Sequence, residues 1–438
     1  MVKPLVVAVE MGYGHLRAAV PLAEALGVEV LHADREPIAG PEERRLWRRA
    51  RKVYETVSRL SQVPWVGAPF RRLLDEVTEI PHLFPLRDLS APNPAVELHD
   101  RLIVRHGLGR GLANRMRQTG EPLLTTFYTT AIAADRFGGG TTFCVVTDTD
   151  IHRIWAPRDT PATRITYLTP SLRAGRRLRT YGVPAERIRF TGFPLPHRLL
   201  GGRDLPVLRR TLARRLVRLD PDRTFRGYAG SELAHFLGGL PEEEEGRAPH
   251  IVFAVGGAGA QAGLAREFLP GFRVPLLDGR VRLTLVAGCR RDVEQRFREY
   301  VHDARLEDAL GHGLAILREE TLDGYFAAFE RLLADADVLW TKPSELVFYG
   351  ALGLPLVLSP PVGFHERYNR RWVLERGAGF RQRTAQHNAE RLAERLADGT
   401  LAAAAWSGFM HLPKFGLYEI LRTVGAPTAV AGDIGGST

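Results

Sequence analysis

The sequence predicts an α/β protein built from two Rossmann-like domains with parallel sheets. Short apolar runs recur along the whole chain, and helical or loop sequence separates them. The series then restarts in the second half with a new apolar run and a new glycine-rich turn. A barrel would instead read as one unbroken eightfold series.

Residues 4–10 (PLVVAVE) form the first predicted strand. The turn Met11-Gly12-Tyr13-Gly14 ends it, and HLRAAVPLAEAL carries apolar residues at helical spacing. GVEVLHAD follows as a second strand and completes a βαβ start. Further strands are predicted at LLTTF (123–127), TFCVVT (142–147) and ITYL (165–168). After Gly192-Phe193-Pro194 the chain becomes arginine-rich and helical, then runs through Glu242 to Glu245. Residues 199–248 read as linker plus an excursion of the second domain. That domain's strands are HIVFAV (250–255), VRLTLVAG (281–288), LAIL (314–317), DVLW (337–340) and LPLVLS (354–359). Domains are expected at 1–198 and 199–404, with a C-terminal helix within about 405–424 crossing back to the first and a disordered tail at 425–438.

At 438 residues the chain is too long for one ordinary core. Hydrophobic content of 45% and charged content of 25% exclude a disordered chain, and no apolar run approaches the roughly 18–20 residues of a membrane span. Met1-Val2-Lys3-Pro4 leads straight into a strand without a secretory signal, and Cys144 and Cys289 are too few for a disulfide framework. A cytoplasmic location is expected. The net charge of +10 comes almost entirely from arginine, with lysine only at positions 3, 52, 342 and 414. Such a balance suits anionic substrates or an acidic lipid surface, and an arginine-rich coding bias on a solvated surface accounts for it equally. No zinc-finger spacing or aromatic RNA-binding signature is present, so nucleic acid is not an expected partner.

Five ordered segments together resemble one family: MGYGHLRAA (11–19), VVTDTDIHRIW (145–155), YGVPAERIRFTGFPL (181–195), VGGAGA (255–260) and TKPSELVFYGALGLPLVLSPPVGFHERYN (341–369). They are similar to GT-B glycosyltransferases of the type that forms lipid II and of the diacylglycerol glycosyltransferase branch. The resemblance implies two domains, an acceptor side at the N-terminal half and a UDP-sugar donor at the C-terminal half. The chain departs from the family in its compact Lys342-Pro343-Ser344-Glu345 turn and in His365, which bears on sugar identity more than on reaction class.

For the donor, Gly256, Gly257 and Gly259 let backbone amides approach a diphosphate at the start of a helix, and no metal is then required. A tight strand-to-helix turn is the plainer account. Glu345 follows a strand and a proline turn, where a carboxylate accepts both ribose hydroxyls; the resemblance assigns it that role, with Ser344 beside it, and a dipole-stabilised helix charge is its alternative. Glu366 and Asn369 are candidates for sugar hydroxyls and His365 for phosphate or sugar, helix capping being the alternative for the last two. His15 is the candidate general base, with a helix-capping role as its alternative. Asp148 is expected to orient His15 or bind acceptor, and Gly12, Gly14 and His152 complete the acceptor side. Asp148-Thr149-Asp150 also spells the acidic pair of metal-dependent GT-A enzymes, but a GT-A chain would not restart a second domain; an Asx turn explains it.

Residues 42–60 place Leu46, Trp47, Ala50, Val53, Tyr54, Val57 and Leu60 on one helical face with basic residues opposite. This suits either packing on the protein's own core or resting at the inner face of the plasma membrane, with a lipid acceptor. The expected reaction is inverting transfer of a sugar from a UDP-sugar to a hydroxyl, with no cofactor. A UDP-sugar 2-epimerase and a non-catalytic nucleotide-sugar-binding protein are the rivals. An NAD oxidoreductase is disfavoured because neither glycine loop has GxGxxG spacing.

Overall fold

The computed structural model describes residues 3–60, 79–256, 259 and 261–425. It divides into two compact units. One holds the chain up to His197, Val362–Asn369 and the residues from Pro413 onward; the other holds Arg198–Pro361 and Arg370–Leu412. Each contains a six-stranded sheet in which every pairing is parallel, which is the predicted α/β architecture.

The first unit carries β1 (Leu5–Ala8), β2 (Val30–His32), β3 (Leu123–Thr125), β4 (Thr142–Val145), β5 (Ile165–Thr169) and β6 (Ile188–Phe190), in the spatial order β2-β1-β3-β4-β5-β6. Val7 pairs with Thr125 and Thr125 with Cys144, so the central strands end level. Val7, Leu123, Cys144, Ile165 and Tyr167 are fully buried, as expected of parallel strands covered by helices on both faces. Helix Tyr13–Leu26 leaves β1 through Gly12, whose φ of 118° only glycine adopts without strain. It ends at Gly27 in the left-handed conformation, whose N–H bonds back to Ala23 and Glu24 carbonyls.

The second unit carries β7 (His250–Ala254), β8 (Arg282–Gly288), β9 (Leu314–Arg318), β10 (Val338–Thr341), β11 (Leu356–Leu358) and β12 (Gly379–Arg381), ordered β12-β11-β10-β7-β8-β9. Counted from its own first strand this is the 3-2-1-4-5-6 order of dinucleotide-binding sheets. Phe253, Phe268, Phe297 and Trp340 fill its core in edge-to-face and tilted pairs. The arginine-rich stretch after 199 forms helices Pro206–Arg218 and Thr224–Leu237, and Arg215 is only 1% exposed. Its guanidinium donates to the carbonyls of Leu333, Ala336, Leu352 and Gly353. Arg17, Arg153, Arg177 and Arg218 are buried too, so part of the basic charge is internal rather than a solvated face.

The single helix expected within 405–424 is two helices. Thr400–His411 lies in the second unit, and Gly416–Val424 packs in the first against helix Tyr13–Leu26. Pro413 interrupts the run between them, as proline cannot donate to the helix ladder. Helix Pro41–Leu60 is present, with Trp47 buried in the first core and Leu46 packed against it; the side chains of Val53, Tyr54, Val57 and Leu60, and the tail from 426, lie outside the described residues. Among the described residues no helix is long and apolar enough to cross a membrane.

Candidate functional site

In open parallel sheets, ligands bind beyond the carboxyl ends of the strands at the point where strand order reverses. In the first unit that point lies between β1 and β3. Gly12 caps the helix that leaves β1, Gly14 sits in its first turn, and His15 follows, half-buried. His15 Nδ1 lies 2.6 Å from the carbonyl oxygen of Thr126, the residue after β3. A carbonyl can only accept, so Nδ1 carries a proton, and in the neutral ring this leaves the lone pair on Nε2, the form a general base requires. Thr126 returns the contact: its hydroxyl donates to the His15 carbonyl at 2.8 Å. Phe127 stands edge-on to the imidazole at 4.8 Å between centroids, and Trp155 lies at 6.3 Å.

The loop after β4 supplies the next layer. Asp148 accepts from Asn369 Nδ2 at 2.9 Å, while Asn369 Oδ1 accepts from the backbone N–H and the hydroxyl of Thr149, both at 2.8 Å. Asn369 is completely buried. Its amide is thus largely committed within the first unit, and it is Thr126 rather than Asp148 that holds the His15 ring. Asp150 is also fully buried, paired to Arg173 at 2.6 Å and Arg177 at 2.8 Å. A divalent ion at Asp148-Thr149-Asp150 would have to displace both guanidiniums, which disfavours the GT-A reading on chemistry.

His152 and His99 bracket Tyr128, with ring centroids at 6.2 Å and 5.4 Å. Burial drives the His99 imidazole down to about 4, and burial together with the neighbouring His365 and His99 drives His152 down to about 3. Both are neutral at physiological pH. His99 Nε2 meets the Thr129 hydroxyl at 3.0 Å, whereas His152 Nδ1 is buried without a hydrogen-bond partner. His365 and Glu366 also belong to the first unit. Glu366 is buried and accepts the Val362 N–H at 2.7 Å, which ties the start of helix Phe364–Leu374.

In the second unit the order reverses between β7 and β10. Gly256 follows β7 with φ of 70°, and a Cβ there would stand 2.9 Å from Lys342 Cε. A Cβ on Gly259 would meet Val293 at 2.6 Å and the Arg290 guanidinium at 3.3 Å. Both positions therefore demand glycine for conformation, and Gly259 also for space against the Val293 side chain. Gly257 lies outside the described residues. After β10, Ser344 precedes helix Glu345–Leu352 and is 8% exposed, yet its hydroxyl neither caps that helix nor finds a partner among the described residues. A buried hydroxyl left unmade is costly, and this one sits at the strand-order reversal of the second sheet. Glu345, 9% exposed, sits in the first turn, where the helix dipole favours a carboxylate.

Thr126 and Arg290 were not singled out by sequence reasoning, and Lys342 was named only as part of its turn. A lysine directly after β10 and an arginine two residues after β8 were signals available for Lys342 and Arg290. The role of Thr126 runs partly through its main chain and has no signature in residue type.

No protein-family model matches this chain, and no curated protein matches it. Solved structures do. MurG of Acinetobacter baumannii is similar with a TM-score of 0.49 and 14% identity, over 97% of this chain and 99% of that one. The glycosyltransferase SnogD from Streptomyces nogalater gives 0.41 and 14%, over 98% and 100%. UDP-GlcNAc 2-epimerase from Neisseria meningitidis, bound to UDP-GlcNAc, gives 0.40 and 10%, over 93% and 99%. The likeness is one of fold alone.

Proposed function

We propose that the protein is a GT-B-type glycosyltransferase that moves a sugar from a UDP-sugar to a hydroxyl acceptor with inversion and without a metal. The observation that carries this reading is His15, held by the Thr126 carbonyl in the tautomer that leaves Nε2 as the proton acceptor. In this reading Nε2 takes the proton of the acceptor hydroxyl as its oxygen attacks the anomeric carbon and UDP departs. The second unit supplies the donor site. The amides of the glycine turn and the Ser344 hydroxyl meet the diphosphate, and Glu345 accepts from the ribose hydroxyls. The leaving group's charge is balanced by backbone N–H groups and the helix dipole.

An amphiphilic acceptor at an anionic membrane surface is the partner we favour. The first unit exposes Phe84, Leu86, Leu98 and Val104 with Arg87, Arg101 and Arg105 close by in sequence. Purified protein is incubated with a panel of nucleotide sugars, with and without lipid extract, and products are identified by mass spectrometry. Glycosylated product with UDP released only when acceptor is present supports transfer. Interconversion of the UDP-sugar without acceptor indicates an epimerase, and binding of UDP without turnover of any kind overturns the enzymatic reading.

A further inference from the structure

The contact between helix Tyr13–Leu26 and the end of β3 is reciprocal. The imidazole of His15 donates to the main-chain carbonyl of Thr126, and the Thr126 hydroxyl donates to the main-chain carbonyl of His15. The two residues are 111 positions apart, so this closed ring of bonds fixes one loop of the strand-order reversal against the other. The Thr126 side is itself over-determined. Its N–H reaches the Val7 carbonyl at 3.3 Å, and Thr125 Oγ1 donates to the same carbonyl at 2.9 Å. Thr130 Oγ1 lies 2.7 Å from Thr125 Oγ1 and donates to the Phe127 carbonyl at 2.6 Å. Thr125, Thr126 and Thr130 all have no exposed surface. Phe127, next in the chain, packs against the ring in an edge-to-face contact. A histidine on a first helical turn would ordinarily sample both tautomers and several rotamers. Here the Thr126 carbonyl favours the Nδ1-protonated form in one orientation.

We propose that Thr126 is the positioning residue for His15: its carbonyl sets the tautomer and its hydroxyl keeps that carbonyl within reach. The proposal rests on His15 acting as base, and it assigns to a threonine and its main chain the orienting role that catalytic histidines commonly draw from a carboxylate. It concerns acceptor activation alone, because both residues belong to the first unit.

The test uses the full chain with nitrogen-15 histidine labelling at neutral pH, the His15 signals being assigned by their loss in His15→Gln. A protonated Nδ1 and an unprotonated Nε2 are expected; a ring protonated on Nε2 overturns the proposal. In the transfer assay Thr126→Val is expected to lower kcat about tenfold, in line with modest misplacement of a reacting group, with the KM for donor unchanged. Thr126→Ser, which keeps the hydroxyl, is expected to restore kcat to within about twofold of wild type. Wild-type kcat in Thr126→Val, or no recovery in Thr126→Ser, overturns it. If Thr126→Val is unfolded by circular dichroism, Thr126→Ser and the tautomer measurement decide. A wild-type protein that transfers no sugar sinks the proposed function, while the tautomer still decides the clasp.

Discussion

Asn369→Asp puts the loop after β4 to a quantitative test. The change is isosteric and converts one donor into an acceptor. Thr149 keeps its two bonds to Oδ1, but the amide that donated to Asp148 at 2.9 Å becomes a second carboxylate oxygen. Two carboxylates about 3 Å apart repel by about 5 kcal/mol at an effective dielectric near 20. The pair relieves this by sharing a proton. Holding that proton at pH 7 costs about 4 kcal/mol, because an ordinary carboxyl titrates near 4 and each further unit is worth about 1.4 kcal/mol. At pH 5 the same proton costs about 1.5 kcal/mol. The folded variant binds a proton that the unfolded chain releases above about pH 4, so its stability falls as pH rises. Thermal unfolding of variant and wild type side by side reads this out. At about 2–4 °C per kcal/mol the gap should be about 8–16 °C at pH 7 and about 3–6 °C at pH 5. A gap that does not change with pH, or none at pH 7, refutes the Asp148–Asn369 bond.

His15→Ala should lower turnover by about 10²–10⁴-fold with UDP affinity unchanged, and Glu345→Ala should do the reverse; calorimetry with UDP alongside the transfer assay would expose any merging of the two signatures. Ser344→Ala removes a hydroxyl that has no partner among the described residues, so melting temperature should hold while UDP binds about tenfold more weakly; undiminished affinity would return that hydroxyl to a structural oddity. Because His99 and His152 are held neutral by burial, the folded state lacks protons that the unfolded chain takes up below about pH 6.5. Stability should therefore drop from about pH 6.5 towards 4 by about 1.4 kcal/mol per unit for each, and His99→Gln should flatten the slope; parallel pH profiles for variant and wild type would argue against a buried neutral imidazole.

Ten of the twelve strands were legible because parallel strands buried on both faces read as apolar runs bounded by turns. The two that sequence did not single out as strands, β6 and β12, are three-residue edge strands. IRF leaves two of its three side chains to solvent, and GFR begins with the glycine that β11 requires, since a Cβ on Gly379 would stand 2.4 Å from the Leu356 carbonyl oxygen. Neither offers a hydrophobic pattern. At the site, residue type located His15, Ser344 and Glu345 at strand ends. It did not reveal that Asn369 would be consumed by Asp148 and Thr149, since an asparagine over 200 positions away has no local mark of its partner. The arginines behave in the opposite sense. Composition leaves the basic charge to anionic partners or a solvated surface, yet Arg177 and Arg215 are buried, Arg177 donating to Asp150 and the Pro81 carbonyl and Arg215 to four main-chain carbonyls.

The position of Arg215 has a consequence for cutting this chain into parts. Sequence patterning invites a minimal nucleotide-binding fragment that begins at the first strand of the second sheet, His250. Such a fragment would lack helix Pro206–Arg218. It would bare the carbonyls at the ends of helices Leu322–Asp335 and Glu345–Leu352 that Arg215 now neutralises. It would also strand Asp337, wholly buried and held by Arg218 at 2.7 Å, as a lone charge beneath β7 and β10. Loss of one partner from a buried ion pair costs about 3–5 kcal/mol, a large share of what a domain has in hand. The expression boundary for an isolable second half therefore belongs upstream of Pro206, and the arginine-rich insertion is a keystone of that half rather than a tether to it.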